Sequence, residues 1–438
     1  MEPWLATLLL FGSLVVCLVS GLPIVFTMGG VAAIFYLFLW GPKSLYMVAT
    51  ATLSTMGSLV LVAIPLFVFM GMMLERSGLA DALYGAAHRW MGGIKGGLAM
   101  GTVLICTLFA AMAGISGAAT VTMGLVALPA MLSRKYDRKI ATGCIAAGGA
   151  LGVLIPPSVM MVVFALIAGE SVGKLFAGGV LPGLLLSALF ILYIAIRCYI
   201  RPNLGPPVPL EERGSLKEKI MSLRAVILPI LLVVGVLGSI FGGFATPTEA
   251  AAIGAIGSIG CAVVYRRFTL QTLLQACYRT LSLSCMVLWI LVGALLFSQL
   301  FVGIKGSNLL REGLAALAVN RWVILIIMQI TFFFLGMILD PSGIIMLCTP
   351  IFVPVIKELG FDVIWFGVLF TMNMEMAFLT PPFGFNLFYL RGVIPREEMT
   401  MADIYRSAFP FVALQALGLA IVMIFPQIAM WLPNRIFG

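Results

Sequence analysis

Gly152-Val153-Leu154-Ile155-Pro156-Pro157-Ser158 lies in the middle of an apolar run from 140 to 168, and Ala377-Phe378-Leu379-Thr380-Pro381-Pro382-Phe383-Gly384 interrupts a second run, 363–390, in the same way. Two consecutive prolines remove two N–H donors, so the carbonyls they would have served are left free. In hydrocarbon, such backbone survives only where protein buries it or a cavity adjoins it. Each run therefore reads as a broken helix. Before each stands a pair of apolar segments too short to cross comfortably, 97–113 with 116–132 and 322–339 with 343–356. Meeting at small-residue tips, they read as re-entrant hairpins. Further upstream come three spans (4–20, 22–40 and 52–74; 226–244, 248–265 and 281–301) and an amphipathic stretch (75–95; 303–321). One last span closes each half.

The composition supports this reading. Of 438 residues, 62% are hydrophobic and 10% charged, against roughly 45–50% and about 25% in soluble domains. A water-soluble fold is excluded, and long continuous runs indicate helices, not alternating barrel strands. The expected fold is an all-α polytopic membrane protein of two inverted-topology repeats, each with a re-entrant helical hairpin and a Pro-Pro-broken helix. Five full crossings per half, an odd number, turn the second half upside down. The longest polar stretch, 197–224, joins the halves. Alternating the crossings puts 19 of the 26 Lys and Arg on one side, which is then cytoplasmic by the positive-inside rule.

Several chemistries are excluded. Eight scattered cysteines form no Cys-x-x-Cys pair, and the lone His88 offers no cluster for zinc, haem or a proton relay. Gly173-Lys174 is followed by Leu175, so there is no Walker loop and no ATP chemistry. The net charge of +9 sits in short loops and reports orientation, not nucleic-acid binding. Met1-Glu2-Pro3 lacks a signal peptide's basic region, so the first apolar run is expected to be a retained span.

Ionisable groups within apolar runs are the sharpest functional pointers. Glu249, in Thr246-Pro247-Thr248-Glu249, reads first as half of a capping box. Asp340, in Asp340-Pro341-Ser342-Gly343, is both a cap for the returning helix and a candidate contact for a cation or substrate. Glu375 admits a buried helix–helix hydrogen bond or a ligand role. No basic residue lies in either broken run, so an anion would be held by helix N-termini, hydroxyls, Asn and co-bound cations. Abundant carbonyl oxygen and no His relay favour Na+ over protons as the coupling ion.

Five motifs in order, Gly114-Ile115-Ser116-Gly117-Ala118-Ala119, Leu154-Ile155-Pro156-Pro157-Ser158, Ala245-Thr246-Pro247-Thr248-Glu249-Ala250, Gly336-Met337-Ile338-Leu339-Asp340-Pro341 and Leu379-Thr380-Pro381-Pro382-Phe383-Gly384, resemble the large membrane subunit of tripartite ATP-independent periplasmic (TRAP) transporters over essentially the whole chain. Gly117-Ala118 and Ser342-Gly343 depart from the Ser-Ala-like and Thr-Ala-like pairs expected there. The resemblance implies a multi-pass protein of the bacterial inner membrane that imports a small organic acid, such as a C4-dicarboxylate, a sialic or other sugar acid, or a keto acid. It would be driven by Na+ and work with a small four-span membrane subunit and a periplasmic substrate-binding protein. It also implies an elevator mechanism. Residues 1–96 would hold scaffold spans and the first arm, 97–170 the first transport-domain half, and 171–225 a span and the cytoplasmic linker. Residues 226–321 would hold further scaffold and the second arm, 322–390 the second transport-domain half, and 391–438 the final span. Two Na+ sites are expected. The first takes Gly114, Ser116, Gly117, Leu154 and Pro156; the second takes Gly336, Asp340, Glu375 and Thr380. Substrate is expected between them at Ser116, Ser158, Ser342, Asn373, Thr380 and Asn386.

A stand-alone Na+-coupled di- or tricarboxylate transporter of related hairpin design is the alternative; an intramembrane enzyme lacks a nucleophile–base constellation. The inverted repeat predicts opposite accessibility for two equivalent loops. In a variant freed of the eight native cysteines, a cysteine at Lys135 should label only from the cytoplasm and one at Lys357 only from the periplasm. Labelling of both from one side would disprove the inversion.

Overall fold

The computed structural model describes every residue except Met1, Ile115, 210–214, Ser307, 310–318, Ile338 and 395–398. Much of the expected second arm, and Glu211-Glu212-Arg213 of the linker, thus lie outside the described residues. Among the described residues the chain is helical, without strands. Eight helices are long and apolar enough to cross a membrane.

The first half runs α1 (Pro3–Val19), α2 (Ile24–Trp40), α3 (Leu45–Met56), α4 (Ala63–Arg76), α5 (Leu79–Met91), α6 (Gly97–Ala113), α7 (Ser116–Ser133), α8 (Arg138–Ala150), α9 (Val159–Ala168) and α10 (Val172–Ile200). The second runs α11 (Leu216–Phe241), α12 (Pro247–Val264), α13 (Leu270–Gly303), α14 (Arg321–Gly336), α15 (Pro341–Glu358), α16 (Val363–Ala377), α17 (Phe385–Val393), α18 (Met401–Ile424) and α19 (Gln427–Phe437). The starts of α2, α3, α6, α7, α8, α9 and α10 recur 223–229 residues later at α12, α13, α14, α15, α16, α17 and α18. Capping side chains explain many of these starts. Asp137 accepts the N–H groups of Lys139 and Ile140, each at 3.1 Å. Thr246 and Glu249 form the expected capping box, with Thr246 N–H donating to Glu249 Oε2 at 2.8 Å and Glu249 N–H to Thr246 Oγ1 at 3.3 Å.

Three details differ from the sequence reading. The expected span 52–74 is not one helix: α3 stops at Gly57, Ser58 is extended, and a short 3₁₀ turn Leu59–Val62 leads into α4. Its counterpart α13 has no such interruption and runs for 34 residues. The second hairpin limbs, α7 and α15, reach 18 residues each and are themselves of membrane length. After α18 the chain adds α19, an amphipathic helix that packs on α10; its apolar residues had been read into the final span.

The halves interlock. α2 packs on α13 of the other half, and the equivalent helix α12 packs on α4. Likewise α7 packs on α17 and α15 on α9, while α8 packs on α18 and α10 on α16. Small residues permit these approaches, as expected where lipid supplies no hydrophobic drive between helices. A Cβ at Gly148 of α8 would lie 2.8 Å from Cys106 Cβ of α6, one at Gly143 2.5 Å from the Ser407 carbonyl of α18, and one at Gly149 would overlap Thr120 of α7. α8 therefore carries bare backbone toward three neighbours. α16, its counterpart, is buried along its whole length but packs by aromatic rings, with Phe332 and Phe370 edge-to-face at 4.2 Å.

The α2–α13 crossing yields a stability prediction. A Cβ at Gly293 would sit 2.9 Å from the Gly29 backbone nitrogen, whereas nothing lies within 4 Å of one at Gly30. Gly293→Leu should destabilise the folded protein by roughly 1–3 kcal/mol through overpacking, seen as a lower melting temperature in detergent, while Gly30→Leu leaves it unchanged. Equal melting of the two variants would contradict this packing.

Candidate functional site

α6 ends at Gly114 in the left-handed region, φ 61°, and α7 starts at Ser116. This tip lies on the first break: a Cβ at Gly114 would stand 2.5 Å from the Pro157 carbonyl oxygen, so only glycine fits both the turn and the approach. The break begins with a 3₁₀ turn, Leu151–Val153, from which Leu154 and Ile155 N–H groups donate to Leu151 O at 3.1 and 2.9 Å. Ser158 is fully buried and committed within the break: its hydroxyl donates to the Val153 carbonyl and accepts the Met161 N–H at 3.4 Å, capping α9. Among the described residues nothing donates to the carbonyls of Leu154, Ile155, Pro156 or Pro157.

At the second tip, α14 ends at Gly336 against α16, a Cβ there lying 3.6 Å from Met374 Cε and closer still to Ala377. Asp340 caps α15, its Oδ2 accepting the Gly343 N–H at 3.4 Å. Ser342 beside it is buried. The second break joins this tip directly, with Phe383 N–H donating to the Met337 carbonyl at 3.3 Å. The Tyr405 hydroxyl donates to the Pro382 carbonyl at 2.9 Å and the Thr380 hydroxyl to Met376 O at 2.8 Å. The carbonyls of Leu379, Thr380 and Pro381 receive no donor among the described residues. The first break is buried throughout, while Pro381, Pro382 and Phe383 are exposed.

Side chains of the second half complete the first-break region. Glu375 is 0% exposed, and neither carboxylate oxygen has a hydrogen-bond partner. It faces the Leu154 backbone amide without reaching bonding geometry. It thus stands beside the first break, not at the second tip. Asn386 donates from Nδ2 to Ala146 O of α8 at 3.2 Å, leaving its buried Oδ1 unpaired. Asn373 turns the other way, its Nδ2 donating to Gln329 O at 2.7 Å and Gln329 Oε1 at 2.9 Å, and so fixes α14 to α16. Over the first tip lies Tyr389 of α17, with ring atoms 2.8–3.2 Å from a Cβ built at Gly117.

Tip one meets break one, tip two meets break two, and Glu375 and Asn386 tie the pairs together. The hydroxyl protons of Ser158 and Thr380 go to the Val153 and Met376 carbonyls, which leaves lone pairs on both hydroxyl oxygens beside the unpaired carbonyls. Two carboxylates, Asp340 and Glu375, and several unpaired carbonyls face no basic side chain from either broken run. Such surroundings suit a hard cation held by oxygen. Among the described residues no group of three or more His, Cys, Asp or Glu could hold a metal ion, so any cation here depends on backbone oxygen. Tyr389, Gln329 and Tyr405 escaped the sequence reading because each lies outside the motifs. An aromatic among many, or a lone Gln in an apolar helix, carries no spacing signal.

Residues 11–428 match the family model for the DctM component of the tripartite ATP-independent periplasmic transporter. The chain is 34% identical over 406 residues to the C4-dicarboxylate TRAP transporter large permease protein of Pseudomonas aeruginosa, covering 92% of this chain and 93% of that one. It is 30% identical over 378 residues to the ectoine TRAP transporter large permease protein of Halomonas elongata, covering 86% and 87%. Among solved structures, the YdaH transporter of Alcanivorax borkumensis shares the fold, with a TM-score of 0.62 at 17% identity over 90% of each chain.

Proposed function

Because this chain belongs to the tripartite ATP-independent periplasmic transporters as their DctM component, a multi-pass protein of the inner membrane, we propose that it imports a small organic acid by Na+ symport, using an elevator movement. The substrate is handed over by a periplasmic binding protein, and a small four-span membrane subunit completes the system as a separate chain. The observation that carries this reading is the pairing of each hairpin tip with a proline break whose carbonyls are unpaired. Both junctions are rich in backbone oxygen and neither broken run carries a Lys or Arg, so an anionic substrate between them would be held by bound Na+, the start of α15 and nearby polar groups.

The packing also supports the division into bodies. The hairpins and broken helices of both halves interlock through α7 with α17 and α15 with α9, and so would move as one transport domain, 97–170 with 322–390. α2 with α13 and α4 with α12 would form the scaffold. The two bodies meet at few polar points, among them the Thr122 hydroxyl donating to Glu75 Oε1 at 3.4 Å. We assign the first Na+ site to the carbonyls around Gly114, Ser116, Gly117, Leu154 and Pro156, with Glu375 supplying charge from the other half. The second goes to Gly336, Asp340 and the carbonyls around Thr380. Ser342 and Asn386 remain candidates for substrate contact. Ser158 caps α9 and the Asn373 amide nitrogen holds α14, yet the buried Oδ1 of Asn373, like that of Asn386, is unpaired and open to substrate.

In proteoliposomes containing both membrane subunits, uptake of a labelled organic acid should require an inward Na+ gradient and the matching binding protein. Equal uptake driven by a proton gradient without Na+ would refute the coupling. Losing one charge-assisted oxygen ligand typically costs about 1.5–3 kcal/mol, or roughly 10- to 150-fold in affinity. Asp340→Asn should therefore raise the Na+ concentration for half-maximal uptake, while Glu249→Gln mainly lowers the yield of folded protein. Unchanged Na+ dependence in Asp340→Asn, with reduced yield alone, would make Asp340 only a helix cap.

A further inference from the structure

Gly117 lies in the first turn of α7, at the first tip, and the geometry shows why a glycine stands there. A Cβ there would lie 2.8 Å from Cε2, 3.1 Å from Cδ2 and 3.2 Å from Cζ of Tyr389. All three are ring atoms on a stiff side chain, not the far end of a flexible one, so any residue larger than glycine must displace the ring. Tyr389 belongs to α17, whose Asn386, Leu387 and Leu390 are buried against the protein, while Tyr389 itself is 44% exposed. The ring thus touches the first tip, while its helix, α17, leads directly out of the exposed second break that the Phe383 N–H ties to the second tip. Phe383 and Phe388, both partly exposed and 6.4 Å apart between ring centres, extend the aromatic surface there.

We propose that Tyr389, seated on Gly117, forms a wall of the substrate space between the two hairpin tips and limits the bulk of the organic acid admitted. The proposal rests on the reading that substrate binds between the tips. The ring faces the carbon body of the acid, because an aromatic face repels a carboxylate. The acid's charged end is left to the carbonyl-bound cations and the start of α15. The hydroxyl remains able to hydrogen-bond a substrate hydroxyl or keto oxygen. Gly117 is then a specificity position by virtue of what it leaves out.

The test is a double-mutant cycle, Gly117→Ser, Tyr389→Ala and both together, with Tyr389→Phe as the conservative variant. Na+-driven uptake is measured in proteoliposomes against unlabelled organic acids of graded size, and folding is checked by size exclusion and melting temperature. Gly117→Ser should raise KM at least tenfold, and Tyr389→Ala should move the competition order toward bulkier acids. The double variant should match Tyr389→Ala, because the vacated ring leaves room for the serine. Tyr389→Phe should keep the size order and weaken competition by hydroxy and keto acids selectively. An unchanged competition order in a folded Tyr389→Ala protein, or a double variant showing the product of the single losses, would overturn the proposal. Absence of Na+-driven uptake in the unmodified protein would instead refute the transport reading beneath it.

Discussion

The structure turns on a mismatch between proline and lipid. A helix within a bilayer must satisfy its own backbone, because hydrocarbon offers neither donor nor acceptor. Two prolines in a row make that impossible at 156–157 and again at 381–382. Each break needs protein around it, and each receives the tip of a hairpin. The hairpin tips in turn rest on the breaks, where small residues let backbone meet backbone. Gly114 on the Pro157 carbonyl and the Phe383 amide on the Met337 carbonyl are the two points of this mutual support.

Interlocking carries the support through the molecule. The second limb of each hairpin leans on the far part of the other half's broken helix, so neither half completes its own core. Yet the halves pack differently. In the first, glycines on α8 let three helices close on bare backbone; in the second, Phe332, Phe366 and Phe370 fill the equivalent space. The first break is buried and the second exposed. Repetition sets the architecture, and these differences make the two tips inequivalent.

Much of this was legible from residue order. Proline pairs, short paired segments and the recurrence of both at a near-constant offset place every hairpin and break within a few residues, and the Thr246–Glu249 capping box forms as read. What was not legible depends on contacts. Gly57-Ser58 stops a helix that hydropathy alone runs through, and α19 was hidden because its apolar face looks like the end of a span. Glu375 lies six residues before Pro381 in sequence terms that suggest the second site, yet the helix turns its carboxylate to the first. Ser158, Thr380 and Asn373 read as ligands by type, and the fold adds that each also donates a proton to neighbouring backbone or to Gln329, while Asn373 Oδ1 stays unpaired. Residue type reveals what a side chain can bond; only the fold decides which partner is nearest.

The bare face of α8 has a consequence for heritable variation. At Gly143, Gly148 and Gly149 every possible substitution adds atoms where there is no room, so these sites can drift in only one direction, toward damage. An alanine at these sites adds one methyl group and no charge, and passes as mild in any scan that ranks changes by polarity. Some of the least tolerant positions of this chain are thus its plainest, and natural variants that fail to assemble should be sought there as well as among the carboxylates.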